Sequence, residues 1–246
     1  MKKYKWQIIL GVSLILLSAI LYYVHFVFFR DAHHIFIYLL GDIAFIPIDV
    51  LLVSLIIHSL LSIREKKNKL AKLNMVIGAF FSESGTKLAE KFFELDPDAQ
   101  QIRGQLAIDQ DWTNEKFDSV VNQLHKHEYN MHIDRADLEE LRTYLIGKRN
   151  FLIRLLENPN LLEHDRFTNM LWAVFHLTEE LIHRQNLKDL QENDKKHLLG
   201  DMKRAYKAIV FEWIEYTKHL KTAYPYLFSL AMRTNPFNPN ASIYVA

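Results

Sequence analysis

From Trp6 to Phe29 the chain runs for 24 residues without an Asp, Glu, Lys or Arg. As a helix rising 1.5 Å per residue this stretch is about 36 Å long, enough to cross a hydrocarbon core of roughly 30 Å with some tilt. A second apolar stretch, Ile35 to Ile63, is interrupted only by Asp42 and Asp49. Its excess length predicts an interfacial segment over 35–41 and a span proper over about 42–63. Tyr4 and Trp6 at one end, and Tyr22, Tyr23, Phe36 and Tyr38 at the other, fit aromatic belts. A cleaved signal sequence is the rival reading, but the run exceeds a usual h-region of about 7–15 residues and no small-x-small site follows it.

Charge divides the chain at the same place. Of 30 basic and 29 acidic residues, only Lys2, Lys3, Lys5, Arg30, Asp31, Asp42 and Asp49 precede residue 64. The expected organisation is a transmembrane hairpin over 1–63, a basic collar and connecting helix over 64–95, a cytoplasmic helical domain over 96–233 and an irregular tail over 234–246. Positive charge flanks the spans at Lys2, Lys3 and Lys5 and at Arg64, Lys66, Lys67, Lys69 and Lys72, while the loop has Arg30 beside Asp31. This predicts a multi-pass inner (plasma) membrane protein with both termini cytoplasmic and His33 and His34 outside. The collar predicts contact with anionic lipid headgroups, at about 1 kcal/mol per cation. With a net charge of +1 and a balanced soluble part, nucleic acid is not an expected partner. The absence of Cys excludes disulfides, thiolate metal sites and cysteine nucleophiles.

Asp42 and Asp49 are seven apart, about 20° from eclipsed on a helix, and Gly11, Ser18 and His25 repeat at the same interval in the first span. A hairpin turning near 31–34 would bring His25 to the depth of Asp42 and Ser18 to that of Asp49. Pro47 lies between the acids and frees the carbonyl of Ile43, adding an acceptor and a kink. These residues read as a polar seam of interhelical hydrogen bonds worth about 0.6–2 kcal/mol each. Two helices can hardly shield two acids from lipid, which predicts a homo-oligomer; proton or ion passage past Asp42 and Asp49 is the transport alternative.

Seven Gly and six Pro in 246 residues argue against turn-rich β folds, and residues 64–246 read as helices punctuated by caps. Leu70, Leu73, Ile77, Phe80, Phe81, Leu88, Phe92 and Leu95 continue the second span towards Asp96-Pro97, with Gly78 and Gly85 as possible breaks. Further helices are expected from Pro97 to Ile108, from a Thr113 cap to His127, from an Asp134 cap to Glu157, from Asp165 to Gln185, from Asp194 to Lys221 and from Pro225 to Met232. The fold class is all-α, a two-helix hairpin followed by a multi-helix domain. The aromatic C-terminal run is expected to dock on that domain, with Arg233 meeting a carboxylate or helix end.

Two stretches suggest a di-metal site: His176-x3-Glu180-x2-His183 and Glu212-x2-Glu215-x3-His219. On a helical wheel with Leu171 at 0°, His176, Glu180 and His183 fall at about 140°, 180° and 120°, away from the apolar arc. In a hairpin turning near 190, Glu212 lies about 18 Å beyond the level of Glu180, while His183 meets that of His197. The expectation is a solvated polar face with no resident metal or cofactor, and a helical metalloenzyme using these His and Glu as the enzyme alternative. No phosphate-binding glycine loop, His-Glu-x-x-His or nucleophile elbow is present. His125, His127 and His132 read as ordinary exposed histidines.

The run Tyr38-Leu-Leu-Gly-Asp42-Ile-Ala-Phe-Ile-Pro47, within His34 to Val50, and the C-terminal Tyr224-Pro-Tyr-Leu-Phe-Ser-Leu-Ala with Arg233-Thr-Asn-Pro-Phe, resemble a group of uncharacterised prokaryotic two-span membrane proteins with a helical cytoplasmic domain. The resemblance covers most of the chain and implies architecture without an activity. Together these features predict a membrane-anchored binding, scaffolding or signalling module, with an unidentified cytoplasmic protein as a possible partner.

Overall fold

Every regular element among the described residues is helical. The structure, a computed structural model, describes residues 5–159, 161 and 164–244, with the side chains of Lys5, 66–71 and Arg135 outside that description. The chain divides into two units, Met1–Glu65 and Lys66–Ala246.

In the first unit, α1 (Lys5–Phe29) and α2 (Ala32–Phe80) meet at a turn of two residues. Arg30 takes a left-handed φ of 50°, and its N–H reaches the carbonyl of Phe26 at 2.8 Å, ending α1. Asp31 then caps α2, its carboxylate accepting from the His34 N–H at 3.1 Å. His33 and His34 therefore belong to the first turn of α2, correcting the loop expected over 31–34. The helix also runs unbroken through 35–41 and Pro47. Trp6–Phe29 and Ala32–Glu65 are both long and apolar enough to cross a membrane, and neither apolar stretch is buried within the protein.

Within the second unit the end of α2 supplies Leu73, Ile77 and Phe80 to a core that admits almost no water. A π-helical turn at Phe81–Gly85 joins it to α3 (Thr86–Glu94). Thr86 closes the widened turn twice, since both its backbone N–H and its hydroxyl donate to the Phe81 carbonyl. Gly85 is required there, because a Cβ would lie 2.4 Å from the Phe80 ring. Gly78 breaks nothing.

The remaining helices are α4 (Ala99–Leu106), α5 (Asn114–Lys126), α6 (Leu138–Leu156), α7 (Asp165–Ile182), α8 (Glu192–Ala223) and α9 (Pro225–Arg233), with a 3-10 turn at Ile133–Arg135. Thr113 caps α5 as expected, its hydroxyl accepting from Lys116 N–H. The cap of α6 is Asp137 and not Asp134, because the 3-10 turn intervenes and Asp137 accepts the Glu140 N–H at 2.9 Å. α8 packs against α3, α5, α7 and α9 and forms the axis of the domain. Its Tyr206, Ile209, Val210 and Ile214 are all completely buried.

The tail docks. Phe237 is buried against Phe93 with ring centroids 5.6 Å apart, and the Asn235 amide donates to the terminal carbonyl of α4 at Leu106, 2.7 Å away. Arg233 donates to the Ile243 carbonyl within its own tail, in place of the carboxylate or helix end expected for it.

Candidate metal centre

α7 and α8 are consecutive and antiparallel, joined by the loop after His183. Phe167, Met170, Leu171, Val174 and Leu177 of α7 are sealed against Leu198, Met202 and Tyr206 of α8 and their neighbours. Beside this apolar seam each helix offers two polar side chains four residues apart, hence on one face: His176 and Glu180 on α7, His197 and Asp201 on α8. One ligand atom from each of the four lies within 4.8 Å of every other. His176 Nε2 is 3.7 Å from Glu180 Oε1 and 3.4 Å from Asp201 Oδ2, and His197 Nε2 is 3.5 Å from Glu180 Oε2 and 3.3 Å from Asp201 Oδ2.

Arginines hold both acids from outside. Arg184 donates at 2.6 Å to Glu180 Oε2 and forms a two-pronged pair with Asp194 at 2.6 and 3.0 Å, tying the interhelical loop to both helices. The bond from Arg184 keeps the Glu180 carboxyl below its ordinary range, so it stands ready as a carboxylate. Arg204 donates to Asp201 Oδ1 at 2.7 Å, leaving Oδ2 buried and without a hydrogen-bond partner. The Asp201 side chain is 3 % exposed, whereas those of His176 and His197 are 47 % and 52 % exposed, so the cluster is a cleft with a dry floor.

The residues singled out from sequence separate here. His176 and Glu180, both on α7, meet His197 and Asp201 of α8 across the helix pair, and His183 does not join them, since its Nδ1 lies against the Glu179 carbonyl at 2.8 Å. Glu215 lies 3.4 Å from Arg166, and His219 is half-buried near Tyr224, its pKa lowered by burial. Glu212 corrects the expectation of a solvated face, for it is 3 % exposed and burial pushes its pKa up to about 7. Sequence reasoning missed His197 and Asp201. The signal is the matching His-x3-acid spacing of the two helices, which a helical wheel of one helix alone does not show.

His127 is also corrected. It is no surface residue: its Nε2 is 3.8 Å from Asp96 Oδ2, and these two atoms join the hydroxyls of Tyr129 and Tyr206 as buried polar atoms without a hydrogen bond. Burial raises the pKa of Asp96 and of both tyrosines.

In the hairpin, Ser18, Tyr22 and His25 of α1 face His34, Tyr38 and Asp42 of α2 around a cavity of about 570 Å³. His25 stacks on His34 at 6.0 Å, and the Tyr22 hydroxyl approaches Asp42 Oδ2 at 3.5 Å. Gly11 and Asp49 do not line this cavity, and both acids are exposed on the surface of a single chain. Of the collar, Arg64 and Lys72 are exposed; the side chains of Lys66, Lys67 and Lys69 lie outside the described residues, as do Lys2 and Lys3.

Two family models divide the chain where the structure does. Residues 2–61 match the N-terminal helical domain of MJ1433, and residues 69–233 match the C-terminal helical domain of the uncharacterized protein MJ1433. The chain belongs to the MJ1433 family. The uncharacterized protein MJ1433 of Methanocaldococcus jannaschii is 43% identical over 241 residues, which cover 98% of this chain and 96% of that protein. No solved structure matches.

Proposed function

We propose that the protein is a membrane-anchored helical module, a cytoplasmic binding or scaffolding domain held at the inner face of the plasma membrane by an oligomeric two-span hairpin. The reading rests on one observation above others: α1 and the first half of α2 expose nearly all of their large apolar side chains, while the second unit buries its own. At about 25 cal/mol per Å² of apolar surface, such a hairpin is untenable in water and stable in lipid. Asp42 and Asp49, exposed on that apolar surface, favour association of hairpins through the polar seam. Trp172, 54 % exposed on α7, offers the helical domain an anchor for a protein partner.

The natural absence of Cys makes the test direct. Ala32→Cys at the start of α2, beside the turn, and Ser242→Cys in the tail report topology through a membrane-impermeant maleimide in a bacterial host. Labelling of Ala32→Cys from outside, with Ser242→Cys labelled only after lysis, is expected. Recovery of the chain in the soluble fraction, or the reverse labelling pattern, overturns the reading.

A further inference from the structure

We propose that His176, Glu180, His197 and Asp201 bind one divalent first-row transition-metal ion, with zinc as the ion they fit best, and that the ion staples α7 to α8. The site goes beyond the membrane-anchor reading and does not depend on it.

The four groups leave one another unsatisfied. A hydrogen bond between an imidazole N–H and a carboxylate runs at about 2.7–2.9 Å when charge-assisted. The four nitrogen–oxygen separations are 3.3, 3.4, 3.5 and 3.7 Å, and Asp201 Oδ2 takes no hydrogen bond although two imidazole nitrogens flank it. A buried carboxylate oxygen left so is costly. The two separations at Asp201 Oδ2, 3.3 and 3.4 Å, instead match the edges of a coordination sphere. Zinc bonds of about 2.0–2.1 Å in a tetrahedron set donor–donor edges of about 3.3 Å, and with one donor atom from each residue within 4.8 Å of every other, an inward shift of at most about 1.5 Å on any edge completes the site.

Donor chemistry narrows the ion. Two imidazole nitrogens disfavour calcium and magnesium, which take oxygen ligands, and suit zinc and its first-row neighbours. Two neutral imidazoles and two carboxylates carry two negative charges, which a divalent ion neutralises. Arg184 on Glu180 and Arg204 on Asp201 act as the outer partners that aim ligating carboxylates in metal sites. With four protein donors the sphere is closed, as in structural sites, so the ion serves as a clamp and not as a catalyst. It would join the same helices that the Arg184–Asp194 pair already ties across their loop.

The test uses the full chain in detergent, stripped with a chelator and titrated with zinc(II) or cobalt(II). One ion bound per chain, the intense visible bands of tetrahedral cobalt(II) and a melting temperature that rises on zinc addition are expected. His197→Gln combined with Asp201→Asn should abolish all three, and His183→Gln, on the same helix as His176 but outside the cluster, should change none. Arg204→Leu should keep the stoichiometry and weaken binding about 10- to 100-fold. The wild-type cobalt spectrum decides the matter even where a variant folds poorly. Absence of saturable binding, a pale six-coordinate spectrum, or a site that survives the double substitution overturns the proposal.

Discussion

α1 and α7 are both rich in large apolar side chains, yet they meet opposite surroundings. Ile15 on α1 is 71% exposed, while Leu171, Val174 and Leu177 on α7 are wholly buried. In the helical domain, side chains exclude water by packing on one another, and the polar residues gather at one edge of each helix. In the hairpin the apolar surface turns outward all round, and the polar residues Ser18, His25 and Asp42 gather between the two helices. The same residue types therefore carry different energetic weight: tight packing decides stability in one region, and under the proposed membrane anchoring transfer to an apolar solvent decides it in the other.

The sharpest way to break this contrast is to delete comparable bulk from each region. Phe167 is fully buried and meets Phe80 edge to face at 5.9 Å. Phe167→Ala should cost about 3–5 kcal/mol in chemical denaturation of the helical domain. Leu52→Ala, half-exposed on the hairpin, removes a side chain that the proposed anchoring would turn to lipid and should cost about 0.5 kcal/mol or less. Equal losses would mean that the hairpin surface is covered by protein.

Buried charge should separate the regions next. Glu212 holds its proton to about pH 7 because burial disfavours the carboxylate, whereas the unfolded chain releases it near the ordinary value of 4.5. Between those values the folded state binds the extra proton, so stability falls as pH rises from about 4.5 to 7 and then levels off. The span is worth about 3 kcal/mol. Glu212→Gln should flatten that slope and make the protein more stable than wild type at pH 8. Melting curves at pH 5 and pH 8 check it, and an unchanged slope means Glu212 is ionised in the folded protein.

Sequence made the hairpin legible because a 24-residue uncharged run has few alternative fates, and the caps at Thr113 and Tyr224-Pro225 placed α5 and α9 to within about two residues. The cap of α6 is not legible in the sequence because Asp134 and Asp137 both satisfy the local rule, and only the 3-10 turn between them selects Asp137. The candidate centre was half legible. His176 and Glu180 stood out by spacing, but Asp201 reads as one more surface acid until α7 packs over it, and no wheel of a single helix shows what its neighbour covers. His127 and Asp96 were hidden for the same reason, lying 31 residues apart in the chain and meeting only in the folded domain.

A smaller effect is expected at the π-helical turn, where the domain tolerates no added atom. At Gly85 a Cβ would meet Phe80 at 2.4 and 2.7 Å and Phe81 at 2.8 Å, and those rings are themselves wedged against Phe167 and Trp213. Gly85→Ala should cost about 1–3 kcal/mol by overpacking. Gly104→Ala, which meets open space on α4, should be neutral or stabilising by up to about 1 kcal/mol. If the two substitutions behave alike in thermal melts, the turn is not held by aromatic packing.

The smallest effect belongs to the hairpin. The Tyr22 hydroxyl stands 3.5 Å from Asp42 Oδ2, at the outer limit of a hydrogen bond, and Asp42 is exposed on a single chain. Polar pairs between membrane helices contribute about 0.6 kcal/mol on average, because the separated helices find other partners. Tyr22→Phe alone should therefore shift hairpin stability by about that amount, with Asp42→Asn similar and the double variant not fully additive. Steric trapping or denaturation in mild detergent reads all three. A loss of several kcal/mol from Tyr22→Phe would show that the seam is packed as tightly as the helical domain, and the contrast between the two regions would then fail at its polar core.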